Sequence, residues 1–211
     1  MILKNKTILV TGGTGSLGQR LIERILNNEM GQPKKVIVFS RDESKQHDMR
    51  VKWLNTTKRS DSIIFNNFKR LLEFRIGDIR NYDDILSSAK HSDIIVNAAA
   101  LKHVPVCEYF PEQALLTNCF GAINLTKCIS DHNLNVETIV GISTDKASSP
   151  INVMGMTKAI QERILIASNI FLKKTKTINV RYGNVIASRG SVLPLFAHQV
   201  ENNQDITITD K

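Results

Sequence analysis

The sequence is poor in the features that mark several protein classes. Its 211 residues include three cysteines, Cys107, Cys119 and Cys128, with no CxxC pair and no metal-ligand spacing among them. That excludes a disulfide framework and a cysteine-built metal site, so the set reads as reduced thiols, buried or half buried. No apolar run reaches the roughly 18 residues that span a bilayer, so no membrane segment is expected. The amino terminus, "MILKNKTILVTGG", has no long apolar stretch ahead of a small-residue cleavage site. It reads as the approach to a strand, and a cytoplasmic location is expected. Internal repeats and low-complexity tracts are absent. The net charge of +8 comes from scattered basic residues without a nucleic-acid-binding signature. It describes a solvated surface with some attraction for anionic small molecules.

Short Ile- and Val-rich runs, by contrast, are plentiful. Candidate strands cover 6–10, 35–39, 72–76, 93–99, 137–143 and 177–182. They are mostly continuous in hydrophobicity, the pattern of strands buried on both faces. Helical patterns fall between them, near 16–28, 43–57, 82–89, 112–131, 153–170 and 192–202. This alternation predicts an α/β fold of the Rossmann type, a doubly wound parallel sheet with helices on both faces. The polar segment 57–70 reads as an irregular surface excursion. The ending "DITITDK" reads as a possible short strand.

Directly after the first strand comes "TGGTGSLG", residues 11–18, with Gly12, Gly15 and Gly18 in a GxxGxxG pattern. Such glycines permit a tight turn, a close approach of backbone to a pyrophosphate, and packing of the next helix on the strand. The helix amino terminus adds amide donors and a positive dipole end. Thr11, Ser16 and Leu17 belong to the same expected cradle. The second strand lacks the acidic residue that would hold a ribose 2′-hydroxyl at its end. Ser40 and Arg41 stand there, which suits a 2′-phosphate and predicts NADP as cofactor. Asp42 and Lys45 follow; Asp42 keeps NAD as the alternative. "GDIR" at 77–80 is expected to bring Asp78 to the adenine amino group with Ile79 beside the ring. Ala98 and Ala99 in "NAAA" would let the chain pass close to the cofactor. Lys102 and His103 are either cofactor contacts or surface loop.

A tyrosine is also missing. Redox enzymes with this cradle commonly carry Tyr four residues before a lysine on one helix face. Lys158 is present in "STDKASSPINVMGMTK", and is expected to reach the nicotinamide ribose hydroxyls. The partner position is Met154, which cannot lose a proton. It is expected to face an open crevice rather than a sealed core. The carboxyl ends of parallel strands line the ligand crevice, so Ser143, Thr144, Asp145 and Lys146 are expected there.

With "TGGTGSLG" and "TDK", the chain resembles extended short-chain dehydrogenases/reductases. The blocks "FSRDESKQHDMR", "AALKHVPVCEYFPEQALLTN", "STDKASSPINVMGMTKA" and "RYGNVIASRGSVLPLF" resemble the inverting UDP-N-acetylglucosamine 4,6-dehydratases, in the branch with Met in place of Tyr. That resemblance implies an oxidation at C4, loss of water across C5 and C6, and return of the hydride to C6. Lys146 would be the base at C5, its pKa lowered by burial and by Lys158. Asp145 would be the acid for the C6 hydroxyl, with a raised pKa, and Thr144 would hydrogen-bond the C4 oxygen. The proton of the C4 hydroxyl would leave through Lys158 or Asp145. The resemblance assigns Asn184, Arg189, Gly190 and Ser191 to UDP-N-acetylglucosamine. It implies one NADP-binding domain over 1–211, with partial substrate elements within 184–211 and the carboxy-terminal substrate lobe largely absent. A homo-oligomer is expected, with neither metal nor nucleic acid as a partner. A sugar-nucleotide epimerase and a non-catalytic cofactor-binding domain are the rival readings.

Overall fold

The computed structural model describes residues 1–54, 62–185 and 192–208. The chain opens with β1 (Thr7–Thr11), α1 (Ser16–Leu26), β2 (Lys35–Ser40) and α2 (Glu43–Leu54). It continues through α3 (Ser62–Leu71), β3 (Leu72–Ile76), α4 (Tyr82–Ala89) and β4 (Ile94–Asn97). Two short helices follow, α5 (Val104–Tyr109) and α6 (Pro111–Leu115), then a π-helical turn at Leu116–Phe120 and α7 (Gly121–Asp131). The last elements are β5 (Thr138–Thr144), a 3₁₀ turn at Asp145–Ala147, α8 (Val153–Ser168), β6 (Lys176–Tyr182) and α9 (Val192–Glu201).

The six strands form one sheet in the order β3-β2-β1-β4-β5-β6. β1 pairs with β2 and β4, β2 with β3, and β4 with β5, all in parallel. Because side chains alternate across a strand, each run of apolar residues feeds two cores. Ile8, Val10, Val36, Val38, Ile94 and Val96 face Ile22, Ile25, Met49 and Phe68 from α1, α2 and α3. Leu9, Ile37, Phe39, Ile95 and Ile139 face Ile85, Leu125, Ile129 and Leu165 from α4, α7 and α8. This is the doubly wound Rossmann-type arrangement, and the order reverses between β1 and β4, where ligands bind in such sheets.

Three expectations change. The stretch 57–70 is not an irregular excursion through its described part, because α3 occupies 62–71 and buries Phe68 and Leu71 in the first core. The Asn67 amide, also buried, donates to the Leu26 carbonyl at 2.7 Å and ties α3 to the end of α1. The single helix read over 112–131 is broken by the π turn. Residues 205–208 form no strand.

The chain divides into two compact units, Met1–Arg181 and Tyr182–Lys211. Within the second, the Gln199 side chain ends donate to the Thr207 hydroxyl at 2.8 Å and accept from its amide at 3.4 Å, folding the tail back on α9. Among the described residues no helix is long and apolar enough to cross a membrane.

Candidate active site at the carboxyl ends of the strands

The turn after β1 is held from below. The Thr11 hydroxyl, fully buried, donates to Asn97 Oδ1 at 2.8 Å and accepts from the Ala99 amide at 3.2 Å. The segment after β4 is thereby drawn against the turn. Gly12 has φ of +64°, and a Cβ there would lie 2.8 Å from the Ala98 oxygen and the Ala99 backbone. At Gly18 a Cβ would stand 2.6 Å from Gly13 Cα, so the glycine lets α1 sit on the turn. Gly15 differs, since its Cβ would meet only the Gly12 oxygen, at 3.2 Å. It opens onto free space at the start of α1, which has no side-chain cap, and Gly15, Ser16 and Leu17 are exposed there. A concave turn with uncapped helix amides suits a phosphate group. Gly13 was not singled out from the sequence, although a Cβ there would press to 2.8 Å on Val38 Cγ1. The doubled glycine of "TGG" was the available signal.

Around β2 and β3 the structure corrects two expectations. Ser40 is buried and its hydroxyl is shared with Thr14 Oγ1 at 2.9 Å and the Asp42 amide at 3.2 Å. It braces the turn rather than reaching outward. Ile79 points into the second core, against the Gly121 position, and does not offer its side chain to a ring above the sheet. Asp78 receives the Arg80 guanidinium at 2.9 and 2.6 Å and lies 3.6 Å from Arg41. Burial works against its ionisation, yet these two guanidiniums hold its carboxyl below the usual range. Asp42 accepts from the Lys45 amide and pairs with the Lys45 ammonium, so it caps α2. Arg41 remains half exposed beside the crevice. Lys102 and His103 lie on the surface, and His103 makes no side-chain cap on α5.

Thr144 ends β5, and the chain turns at once. Its hydroxyl donates to Asp145 Oδ1 at 2.8 Å, and the same oxygen takes the Lys146 amide at 2.9 Å and the Lys146 ammonium at 3.3 Å. The Thr144 bond, the largest effect, together with the Lys146 ammonium and amide holds the Asp145 carboxyl below its ordinary range, although burial opposes it. The expected raised pKa is therefore absent; in this state Asp145 is a carboxylate paired with a cation. Lys146 is likewise not buried, its side chain being 38% exposed.

Met154 is only 6% exposed and packs with Cys107 and Ala114, flanked by Leu101, Val104 and Val153. It lies in a small core, not in the open crevice expected for it. The amino terminus of α8 that carries it is fixed by Asn152, which accepts from the Gly155 amide at 2.8 Å, and by Glu108, which accepts from the Val153 amide at 2.8 Å. Lys158 is buried as well. Its ammonium donates to the Ile142 carbonyl at 2.6 Å and to Gln161 Oε1 at 2.7 Å. Burial lowers its pKa to about 8, opposed first by the nearby Glu162 carboxylate.

Asn118, in the π turn, also escaped the sequence reading. Fully buried, it accepts from the Leu101 amide at 2.9 Å and donates to the Leu101 carbonyl at 3.0 Å and to Thr157 Oγ1 at 3.0 Å. It clamps the segment after β4 to α8. A π turn re-aims one side chain in a helix, and an asparagine inside an apolar helical stretch was the clue, since a buried amide needs partners. Asn184 is exposed and belongs to the second unit. Arg189, Gly190 and Ser191 lie outside the described residues. The three cysteines are free and buried, and no group of His, Cys, Asp and Glu among the described residues could hold a metal ion.

A pH-dependent stability follows from Lys158. In the folded protein its pKa is about 8 against an ordinary 10.5, so between those values the unfolded chain binds more protons and stability rises with pH. Relative to Lys158→Met, the wild type is expected to gain up to about 3 kcal/mol across that window, with no divergence below it. Urea unfolding of both proteins from pH 7 to 10.5 measures this. Parallel stability curves would contradict it.

The strand order and the glycine turn define a Rossmann-type α/β domain. The chain belongs to the polysaccharide biosynthesis protein family, whose model matches residues 8–211. It is 44% identical over 209 residues to a protein of Rickettsia bellii named UDP-glucose 4-epimerase, covering 98% of this chain and 57% of that one. The chain thus spans little more than half the length of that relative. The solved structure of Pen from Bacillus thuringiensis superimposes with a TM-score of 0.87 at 37% identity, over all of this chain and 60% of its own. The fold is shared with DesIV, a dTDP-glucose 4,6-dehydratase from Streptomyces venezuelae, at a TM-score of 0.73 and 21% identity, over 93% of this chain and 62% of the other.

Proposed function

We propose that the protein is a nucleotide-sugar-modifying enzyme of the dehydratase and epimerase type, and specifically an NADP-dependent, C5-inverting UDP-N-acetylglucosamine 4,6-dehydratase. One observation carries the reading: a contiguous Thr144–Asp145–Lys146 set, mutually hydrogen-bonded and partly exposed where β5 ends. A general acid, a general base and a hydroxyl donor side by side are what elimination requires.

The cofactor cradle would be Gly12, Gly15, Ser16 and Leu17 for the pyrophosphate, with Asp78 toward the adenine and Arg41 toward a 2′-phosphate. Ala98 and Ala99 would pass beneath it, and Lys158 would serve the nicotinamide ribose. The openness above Gly15 fits such a group. NADP, when bound, would accept a hydride and later return it. The Thr144 hydroxyl would bond the C4 oxygen. With a ketone at C4, the C5 proton becomes acidic, and Lys146 would take it while Asp145 protonates the departing C6 hydroxyl as water. Redelivery of the proton to the opposite face of C5 gives inversion.

Those roles need a neutral Lys146 and a protonated Asp145, whereas the free protein holds an ion pair. The two forms have the same proton count and differ by transfer across the 3.3 Å contact. A substrate that excludes water destabilises separated charges and favours the neutral form. Asn184, Arg189, Gly190 and Ser191 are assigned to the UDP-sugar under this reading. A soluble homo-oligomer in the cytoplasm is the setting proposed for it.

Carbonyl trapping of the product tests the reaction: a 4-keto-6-deoxy sugar supports it. A second reading, plain 4-epimerisation of a UDP-sugar, is favoured by the name of the Rickettsia relative. It would give a product that retains the C6 hydroxyl. For the cofactor, Arg41→Ala is expected to weaken NADP by about ten- to a hundredfold and leave NAD nearly unchanged, since a guanidinium–phosphate contact contributes on the order of 1.5–3 kcal/mol. Titration of both cofactors against both proteins checks it. Equal losses for the two would remove Arg41 from the 2′-phosphate.

A further inference from the structure

The Lys158 ammonium meets neutral partners in a closed arrangement. It donates to the Ile142 carbonyl and to Gln161 Oε1, while Gln161 Nε2 donates to the same carbonyl at 3.4 Å. That third bond fixes which end of the amide faces the lysine. Gln161 is 0% exposed, so its carboxamide has no other direction to take. A carboxylate is close by. Glu162 follows Lys158 by four residues on α8, the spacing of helical ion pairs. Yet both its oxygens are occupied by Arg181 of β6, at 2.8 and 2.7 Å. From the π turn, Cys119 also faces this region, but burial pushes its thiol up to about 11 and keeps it uncharged. The buried cation therefore has dipoles, not a hydrogen-bonded anion, as its immediate partners.

We propose that Gln161 is the positioning residue of Lys158: its neutral carboxamide fixes the direction of the ammonium and keeps the lysine convertible between its two protonation states. A carboxylate at 161 would lock the charge, and an apolar side chain would leave the ammonium with a single acceptor. The convertible state matters because Met154, four residues earlier, has no proton to exchange. Lys158 with a pKa of about 8 has one to give or take near neutral pH. This consequence rests on the proposed role of Lys158 beside the cofactor; the holding of the lysine does not.

The test is the titration of Lys158 itself, read by NMR of protein labelled with ¹³C at the lysine ε carbons, its signal assigned with Lys158→Arg. The wild-type midpoint is expected at about 8. Gln161→Glu is expected to raise the proton affinity about tenfold or more, and Gln161→Met to lower it several-fold. Opposite signs are the signature, because a packing defect alone would not reverse direction between two variants. Either variant, if folded by near-ultraviolet circular dichroism, suffices on its own. A midpoint within twofold of wild type, or a shift of the wrong sign, overturns the proposal. If the midpoints move as expected while UDP-N-acetylglucosamine is not converted, the proposed activity fails and the role of Gln161 stands.

Discussion

Lys146→Ala is expected to lower formation of a 4-keto-6-deoxy product by about 10²–10⁴-fold, the usual loss on removing a positioned general base. NADP affinity should stay within about twofold, because Lys146 lies in the 3₁₀ turn after β5 whereas the glycine turn follows β1. The loss should be specific to C5 chemistry. In a single turnover the initial reduction of NADP should persist, since oxidation at C4 does not require the Lys146 amine. Removing the cation also strips Asp145 of its ammonium partner, leaving the Thr144 hydroxyl and a backbone amide. A fall in both NADP reduction and elimination to the same extent would show that Lys146 acts before C5 is reached. An unchanged rate of product formation would remove it from the chemistry.

Gly12→Ala is the substitution with the largest expected effect on the fold and the cofactor together. At φ of +64° an L side chain is strained, and the added carbon would meet Ala98 and Ala99 backbone atoms at 2.8 Å. Strain of this kind costs about 1–3 kcal/mol, and the overlap adds to it. A loss of about 3 kcal/mol or more is expected, with NADP binding abolished at ordinary concentrations. Gly15→Ala is the informative companion. Its carbon meets one oxygen at 3.2 Å and otherwise open space, so stability should fall by less than about 1 kcal/mol. Cofactor binding should still drop steeply, because the methyl would stand where a phosphate approaches. Denaturant unfolding and NADP titration separate the two. Equal stability losses, or intact binding in Gly15→Ala, would show that the turn is structural only.

Much of this was legible in the sequence because the two-faced strands and the glycine turn are local signals. Continuous Ile and Val runs read as doubly buried strands, and the structure buries them on both faces at Leu9, Val10, Ile37 and Val38. The glycine spacing marked the turn, but not that Gly12 is wedged against Ala98 and Ala99, a contact between segments 86 residues apart. Side-chain direction was the harder part. Ile79 follows Asp78, the residue expected at the adenine, yet points down into the core, and Ser40 turns inward to Thr14. Met154 read as crevice-facing from its spacing to Lys158, but α5 and α6 close over it with Cys107 and Ala114. Protonation was the least legible. Asp145 was expected to hold a proton, and its hydrogen bonds with Thr144 and Lys146 favour the carboxylate. Asn118 acts through partners distant in the chain, Leu101 and Thr157, which no local pattern announces, and Gln161, three residues from Lys158, takes its direction from the Ile142 carbonyl of β5.

The central claim is that Asp145 and Lys146 perform elimination across C5 and C6 rather than serving an oxidation and reduction at C4 alone. Its most direct test is conversion of UDP-N-acetylglucosamine by the protein with NADP in deuterium oxide, with the product read by mass spectrometry and proton NMR. The account predicts a product that has lost the elements of one water and carries one solvent deuterium at C5 in place of the original hydrogen. An isomer of unchanged composition, free of carbon-bound solvent deuterium, would contradict it.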